Sequence, residues 1–154
     1  MVGSVDDVDA AEPFGVAVMM FTTLGQVDES GRDNTAMLTR IHELVRPGGV
    51  VVIEVPQRDA AVAALVADDG FTDGPTSLTI RRRYDPTTQR VAERFERVAD
   101  GEREVFDLEY RLFAVEELRV LLADAGFDPV DIFASIDGSP LTAEAATMVA
   151  FARR

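Results

Sequence analysis

Apolar and polar positions change period several times along this chain. Residues 15–21 read Gly-Val-Ala-Val-Met-Met-Phe, an unbroken apolar run of the kind that fits a strand buried on both faces of a parallel sheet. A polar turn, Thr22-Thr23-Leu24-Gly25-Gln26, and an acidic loop, Asp28-Glu29-Ser30-Gly31, follow. Met37, Leu38, Ile41, Leu44 and Val45 then recur at helical spacing. Asp33 or Asn34 is placed to cap that helix, and Arg46 falls in its last turn, where a cation suits the helix dipole. Pro47-Gly48-Gly49 stops the helix, and Val50-Val51-Val52-Ile53-Glu54-Val55 is a second strand buried on both faces. Strand, helix, tight turn and strand make a βαβ unit with a right-handed crossover.

Beyond Pro56 the pattern predicts a short Ala-rich helix over 59–67 and a loop over 68–75. The period then becomes two. Leu78, Ile80 and Tyr84 alternate with Thr79, Arg81 and Arg83, and Phe106, Leu108, Tyr110 and Leu112 alternate with Asp107, Glu109 and Arg111. With a mixed strand at 91–98 and turns at Asp85-Pro86-Thr87-Thr88 and Ala99-Asp100-Gly101-Glu102, residues 77–113 read as a three-stranded antiparallel meander with one wet face. Helical spacing returns over 115–125, with Gly126 as the C′ residue and Phe127 the apolar residue behind it. Strands at 131–136 and 146–152 flank the loop Asp137-Gly138-Ser139-Pro140. Residues 1–13 carry no period and four acids, so they read as an acidic tail, either a short edge strand or disordered.

Composition narrows the chemistry. A chain of 154 residues buries roughly 70% of its unfolded surface, so it needs no staple. There is no cysteine, hence no disulfide, thiolate nucleophile or Cys-ligated zinc, and a single His excludes any multi-histidine metal site. The formal charge of −13 disfavours phosphate backbones and anionic membranes, so neither nucleic acid nor membrane is an expected partner. The absence of a basic, apolar start points to a cytoplasmic protein. Every basic residue is Arg, and Asp outnumbers Glu sixteen to twelve. That bias fits a GC-rich genome with acidic drift, or adaptation to a halophilic, high-salt interior in which a dense carboxylate surface stays hydrated. The charge alone predicts that the melting temperature rises from low to molar KCl as the carboxylates are screened; a flat or falling curve in thermal melts refutes this.

The order of motifs is specific. Phe21-Thr22-Thr23-Leu24-Gly25 closes a buried strand. Leu44-Val45-Arg46-Pro47-Gly48-Gly49 runs into Val50-Val51-Val52-Ile53-Glu54. The meander carries Tyr84-Asp85-Pro86, a helix opens at Phe113-Ala114-Val115-Glu116-Glu117-Leu118 and closes at Ala125-Gly126-Phe127, and the tail holds Asp137-Gly138-Ser139-Pro140-Leu141-Thr142. From about residue 14 to 154 this resembles the C-terminal half of a class I S-adenosylmethionine-dependent methyltransferase. The resemblance implies an α/β fold: a truncated Rossmann-like methyltransferase sheet of four strands, the last inserted antiparallel between its neighbours, with the antiparallel β meander added. It implies S-adenosylmethionine as cofactor, with Phe21, Thr22, Thr23 and Leu24 at the turn beside its methionine moiety. Tyr84, Asp137 and Ser139 are then the candidates for holding a small-molecule acceptor. Two departures stand out. Ala114-Val115 replaces the family's hydroxyl cap, a loss of about 1 kcal/mol. The family's Gly-rich cofactor turn would precede residue 14, where Gly3 is the one glycine.

Several residues have a plainer reading beside the functional one. Glu54, near the carboxyl end of an apolar strand, suits a general base if buried, or simply points to solvent. His42 sits at the margin of the helical stripe. Arg81-Arg82-Arg83 suits an anionic acceptor group, or pairs across strands with Glu93, Glu96, Glu104, Asp107 and Glu109. No catalytic residue or metal ligand is assigned. Two functions remain open: the acceptor-side half of a methyltransferase, inactive until a partner completes the cofactor site, and a catalytically inactive, self-associating interaction protein. In either case the 15–21 strand has lost a neighbour. Its bare apolar edge, Val16 to Phe21, is expected to be covered by a homodimer or a hetero-complex.

Overall fold

The computed structural model describes residues 4–21, 23–26 and 34–154. Among these, eight strands make two four-stranded sheets. β1 (Phe14–Met19), β2 (Val45–Pro56), β7 (Val130–Phe133) and β8 (Thr147–Arg153) form a mixed sheet in the order β1-β2-β8-β7. β3 (Asp68–Asp73), β4 (Thr76–Asp85), β5 (Arg90–Ala99) and β6 (Glu102–Arg111) form an antiparallel lobe in sequence order. β1 and β2 run parallel, and β8 lies antiparallel between β2 and β7, as the motif order implied.

α1 (Asn34–Leu44) and α3 (Val115–Asp124) pack on one face of the mixed sheet. Leu38, Ile41, Leu118 and Leu122 join Met19, Val51, Ile53, Met148 and Ala150 in one buried cluster. This one-sided cover corrects the expectation for the first strand. β1 alternates rather than being buried on both faces: Ala17 and Met19 meet the core, while Val16 and Val18 are 58% and 57% exposed. β2, with a neighbour on each side, is buried on both faces at Val51, Val52 and Ile53.

α1 ends at Leu44, two residues before Arg46, because Val45 already pairs with Phe14. The ladder then shifts register at Gly15 and resumes at Val16–Val50. Gly49 sits where that shift brings backbones together. A Cβ there would lie 2.6 Å from the Val45 side chain and 2.8 Å from the Gly15 carbonyl oxygen. The proposed cap Asp33 lies outside the described residues; Asn34 instead accepts a hydrogen bond from the Gly25 N–H at 2.9 Å.

Three further expectations change. The Ala-rich helix is short, α2 (Arg58–Ala63). The 68–75 loop is instead β3, fully exposed and paired with β4, so the meander has four strands rather than three. Gly74, at φ +55°, makes the two-residue hairpin turn with Pro75. Residues 5–7 form a 3₁₀ turn capped by Ser4, and Arg40 on α1 holds the Val8 carbonyl at 2.8 Å, so this part of the tail is neither strand nor disordered. The close of α3 follows its sequence. Gly126 N–H reaches the Ala123 carbonyl and Phe127 N–H the Leu122 carbonyl, a Schellman pair that turns Phe127 into the core. At its start Ala114 supplies no hydroxyl, but Glu117 accepts the Ala114 N–H at 2.8 Å.

Candidate functional site

Sequence placed Phe21, Thr22, Thr23 and Leu24 after the 15–21 strand and Glu54 near the carboxyl end of the next, where ligands sit in open parallel sheets, with Tyr84 on the meander and Asp137 and Ser139 in the 137–140 loop. Phe21 leaves β1 with φ +57° and an exposed ring. Thr23 folds back, its hydroxyl donating to the Met20 carbonyl at 2.6 Å. Leu24 is buried in the core. Thr22, the fourth residue assigned to this turn, lies outside the described residues.

The turn is anchored on both sides. Asn34 holds Gly25 from α1, and the Gly25 carbonyl accepts the Arg111 N–H at 2.8 Å. Gln26 forms an antiparallel bridge with Tyr110. Gly25, at φ +99°, permits this approach, since a Cβ would stand 2.6 Å from the Arg111 carbonyl oxygen. The end of β1 is thus tied to the end of β6. Sequence reasoning missed this tie, and the glycine was its one local signal.

Beside the turn, Met20, Val52, Glu54, Ser135, Ile136 and Thr147 line a cavity of about 190 Å³. Glu54 is half-buried in its wall. Asp137 and Ser139 belong to the loop just beyond. They close on each other, Asp137 accepting both the hydroxyl and the N–H of Ser139 at 2.6 and 2.9 Å. The Ser139 hydroxyl, then its N–H, hold the Asp137 carboxyl below the usual carboxylate range. Tyr84 lies elsewhere, on the lobe, where its hydroxyl donates to Gln89 at 2.6 Å. No hydrogen bond among the described residues links Tyr84 to Asp137 or Ser139.

Two residues of the Arg run, Arg81 and Arg82, are engaged in ion pairs. Arg82 meets Glu93 at 2.8 Å and Asp69 at 3.3 Å, and Arg81 approaches Asp68 at 3.8 Å. Arg82, Glu93, Asp69 and Tyr110 share a second cavity of about 280 Å³ under α2 with Leu65 and Val91. Tyr110 donates to Glu93 at 3.3 Å. Burial, and then the Glu93 charge, push its phenol from 10 up to about 12. His42 packs edge-to-face on Phe127, centroids 5.0 Å apart, and its ring covers Gly126, so it serves packing. No cluster of three His, Asp or Glu placed to hold a metal occurs among the described residues, and no helix there is long and apolar enough to cross a membrane.

No family model and no curated protein matches the chain. Solved structures do. The CcbJ methyltransferase from Streptomyces caelestis is 18% identical with a TM-score of 0.79, over 99% of this chain and 62% of that one. An S-adenosylmethionine-dependent methyltransferase from Clostridium acetobutylicum is 11% identical with a TM-score of 0.81, over 99% and 63%. CalS10 from Micromonospora echinaspora, an amino pentose methyltransferase solved with S-adenosylmethionine bound, is 17% identical with a TM-score of 0.59, over 99% and 63%. The chain therefore spans less than two thirds of the length of these proteins, and across that span it has the class I S-adenosylmethionine-dependent methyltransferase fold.

Proposed function

We propose that this chain is the acceptor-side part of an S-adenosylmethionine-dependent methyltransferase for a small molecule, and that a further polypeptide segment, paired to the outer edge of β1, completes the cofactor site. The observation that carries this reading is the state of β1. It ends the mixed sheet, its outer edge has no strand partner among the described residues, and Val16, Val18 and Phe21 stand exposed beside the turn where a ligand belongs. An open apolar groove of about 530 Å³ runs along the same edge, lined by Val5, Val8, Phe14, Val18 and Met37. The relatives described as methyltransferases, one of them bound to S-adenosylmethionine, support the same reading.

The residues present fit one wall of such a site. Phe21 and Thr23 offer an apolar ledge and a hydroxyl at the strand end, while the described residues offer no run of backbone N–H groups on a Gly-rich turn. S-adenosylmethionine supplies an electrophilic methyl group. This chain's part is to hold the acceptor in line, an effect worth many orders of magnitude in rate, and to exclude water. In this reading the 190 Å³ cavity receives the acceptor, and Glu54 takes up the proton that an O- or N-acceptor loses.

Isothermal titration tests the proposal. The chain alone is expected to bind S-adenosylmethionine no tighter than millimolar. Fusing a strand, Gly-rich turn and helix upstream of residue 14 should bring binding into the micromolar range, and Val18→Lys should abolish that gain. Micromolar binding by the unfused chain overturns it.

A further inference from the structure

The cavity under α2 gathers polar groups from four strands of the lobe. Register sets Arg82 on β4 opposite Glu93 on β5, and places Val91 beside Tyr110 on β6 in the neighbouring row. Asp69 comes from β3. Arg82 Nε donates to Glu93 Oε1 at 2.8 Å and its Nη1 to Asp69 at 3.3 Å, while the Tyr110 hydroxyl donates to the same Glu93 oxygen at 3.3 Å. The second oxygen, Glu93 Oε2, accepts no hydrogen bond from the described residues, although the Glu93 side chain is only 11% exposed. A carboxylate so withdrawn from water keeps a desolvation cost that a further donor would relieve. The cavity measures about 280 Å³ and is lined besides by Leu65, Val91 and Leu112. It shares no lining residue with the cavity beside Glu54.

We infer that this cavity binds a small organic amine in its protonated form, at a site distinct from the acceptor cavity. Charge selects the ligand. Asp69 and Glu93 carry two negative charges against one positive on Arg82, and no other charged side chain among the described residues lines the cavity, so its net charge is −1. Burial, and then the Glu93 charge, keep the Tyr110 phenol protonated, so it adds a donor and no charge. An anion would meet two carboxylates and a guanidinium already engaged with both. An ammonium group instead makes a charge-assisted hydrogen bond at Glu93 Oε2. The rest of the ligand is apolar, because Leu65, Val91 and Leu112 offer it hydrocarbon and no hydrogen bonds. Size bounds it as well: a cavity of about 150 Å³ holds benzene, so 280 Å³ takes one ring with a short amine-bearing arm.

Titration of the full chain with benzylamine at neutral pH, followed through backbone amide shifts in two-dimensional NMR, tests this. The expected result is saturable binding in the millimolar range, with shifts centred on Ala61, Leu65, Val91 and Glu93. Benzyl alcohol and phenylacetate, which keep the ring and lose the cation, should bind about tenfold more weakly or not at all. Glu93→Gln keeps an acceptor for Arg82 and should weaken benzylamine about tenfold. Should that variant misfold, Ala61→Leu, which fills the cavity and leaves its charges alone, should abolish binding. The measurement needs neither S-adenosylmethionine nor the fused segment, so it succeeds or fails apart from the methyltransferase reading. Phenylacetate binding as well as benzylamine overturns the inference. So do the absence of saturation, shifts spread over the acidic surface or centred on Glu54 and Thr147, and affinity that survives both substitutions.

Discussion

Replacing Phe127 with Ala is expected to cost about 3–5 kcal/mol of folding free energy, read as a shift in the midpoint of urea denaturation at constant slope. The ring is fully buried and packs against the core cluster of both helices and the mixed sheet. It also stacks edge-to-face on His42, a geometry that adds beyond area burial. Its backbone closes α3 through the Leu122 carbonyl, so the surrounding cap cannot collapse into the hole without giving up that bond. Cavity cost grows where collapse is blocked, which places Phe127→Ala toward the upper end. A loss below 1 kcal/mol would mean that the α1–α3 contact relaxes freely.

Gly49→Ala is expected to cost about 1–3 kcal/mol or more, although it adds one methyl group. The new carbon would meet the buried Val45 side chain at 2.6 Å and the backbone oxygens of Gly15 and Arg46 at 2.8 and 2.9 Å. Two of these contacts are backbone, so relief requires β1 and β2 to part where their register shifts. Gly48→Ala is the control. Gly48 has φ +74° and open space around a Cβ, so it carries only left-handed strain, about 1–2 kcal/mol. Gly49→Ala should also lower protection from hydrogen exchange in β1, whereas Gly48→Ala should not. Equal losses in both measurements would refute the crowding argument.

The elements with strong local periodicity were legible in the sequence. α3, its Gly126-Phe127 close and the 50–55 stretch of β2 sit where the pattern put them, whereas Val45-Arg46-Pro47-Gly48-Gly49, read as helix end and tight turn, belongs to β2 because Val45 pairs with Phe14. β3 was not legible. Asp68–Asp73 carries no apolar alternation, and it is a strand because β4 offers a ladder and Gly74 a turn. The sidedness of β1 was equally hidden, since an apolar run states that its faces prefer cover and not whether cover is present. At the site, the turn after β1 and the closed Asp137–Ser139 loop could be located from motif order. The docking of Gly25 and Gln26 on Tyr110 and Arg111 could not, because a contact between positions so far apart leaves no spacing to read. Tyr84 and Tyr110 look alike in an alternating strand and flank Val91 in one row, yet the Tyr84 hydroxyl donates to Gln89 and the Tyr110 hydroxyl to Glu93.

β8, the last strand in sequence, stands in the middle of its sheet, and that order has a consequence for how the molecule is made. Val50 pairs with Arg153, and Val130 reaches the sheet solely by pairing with β8. Until residues 147–153 arrive, β2 has one bare side and β7 has no ladder at all. Non-local closures of this kind slow folding, because the loop must be ordered before any contact stabilises it. On a ribosome the core therefore waits for nearly the whole of the described sequence to emerge, with the apolar β2 exposed meanwhile to any other unfinished chain. The net charge of −13 opposes close approach of like chains during that interval.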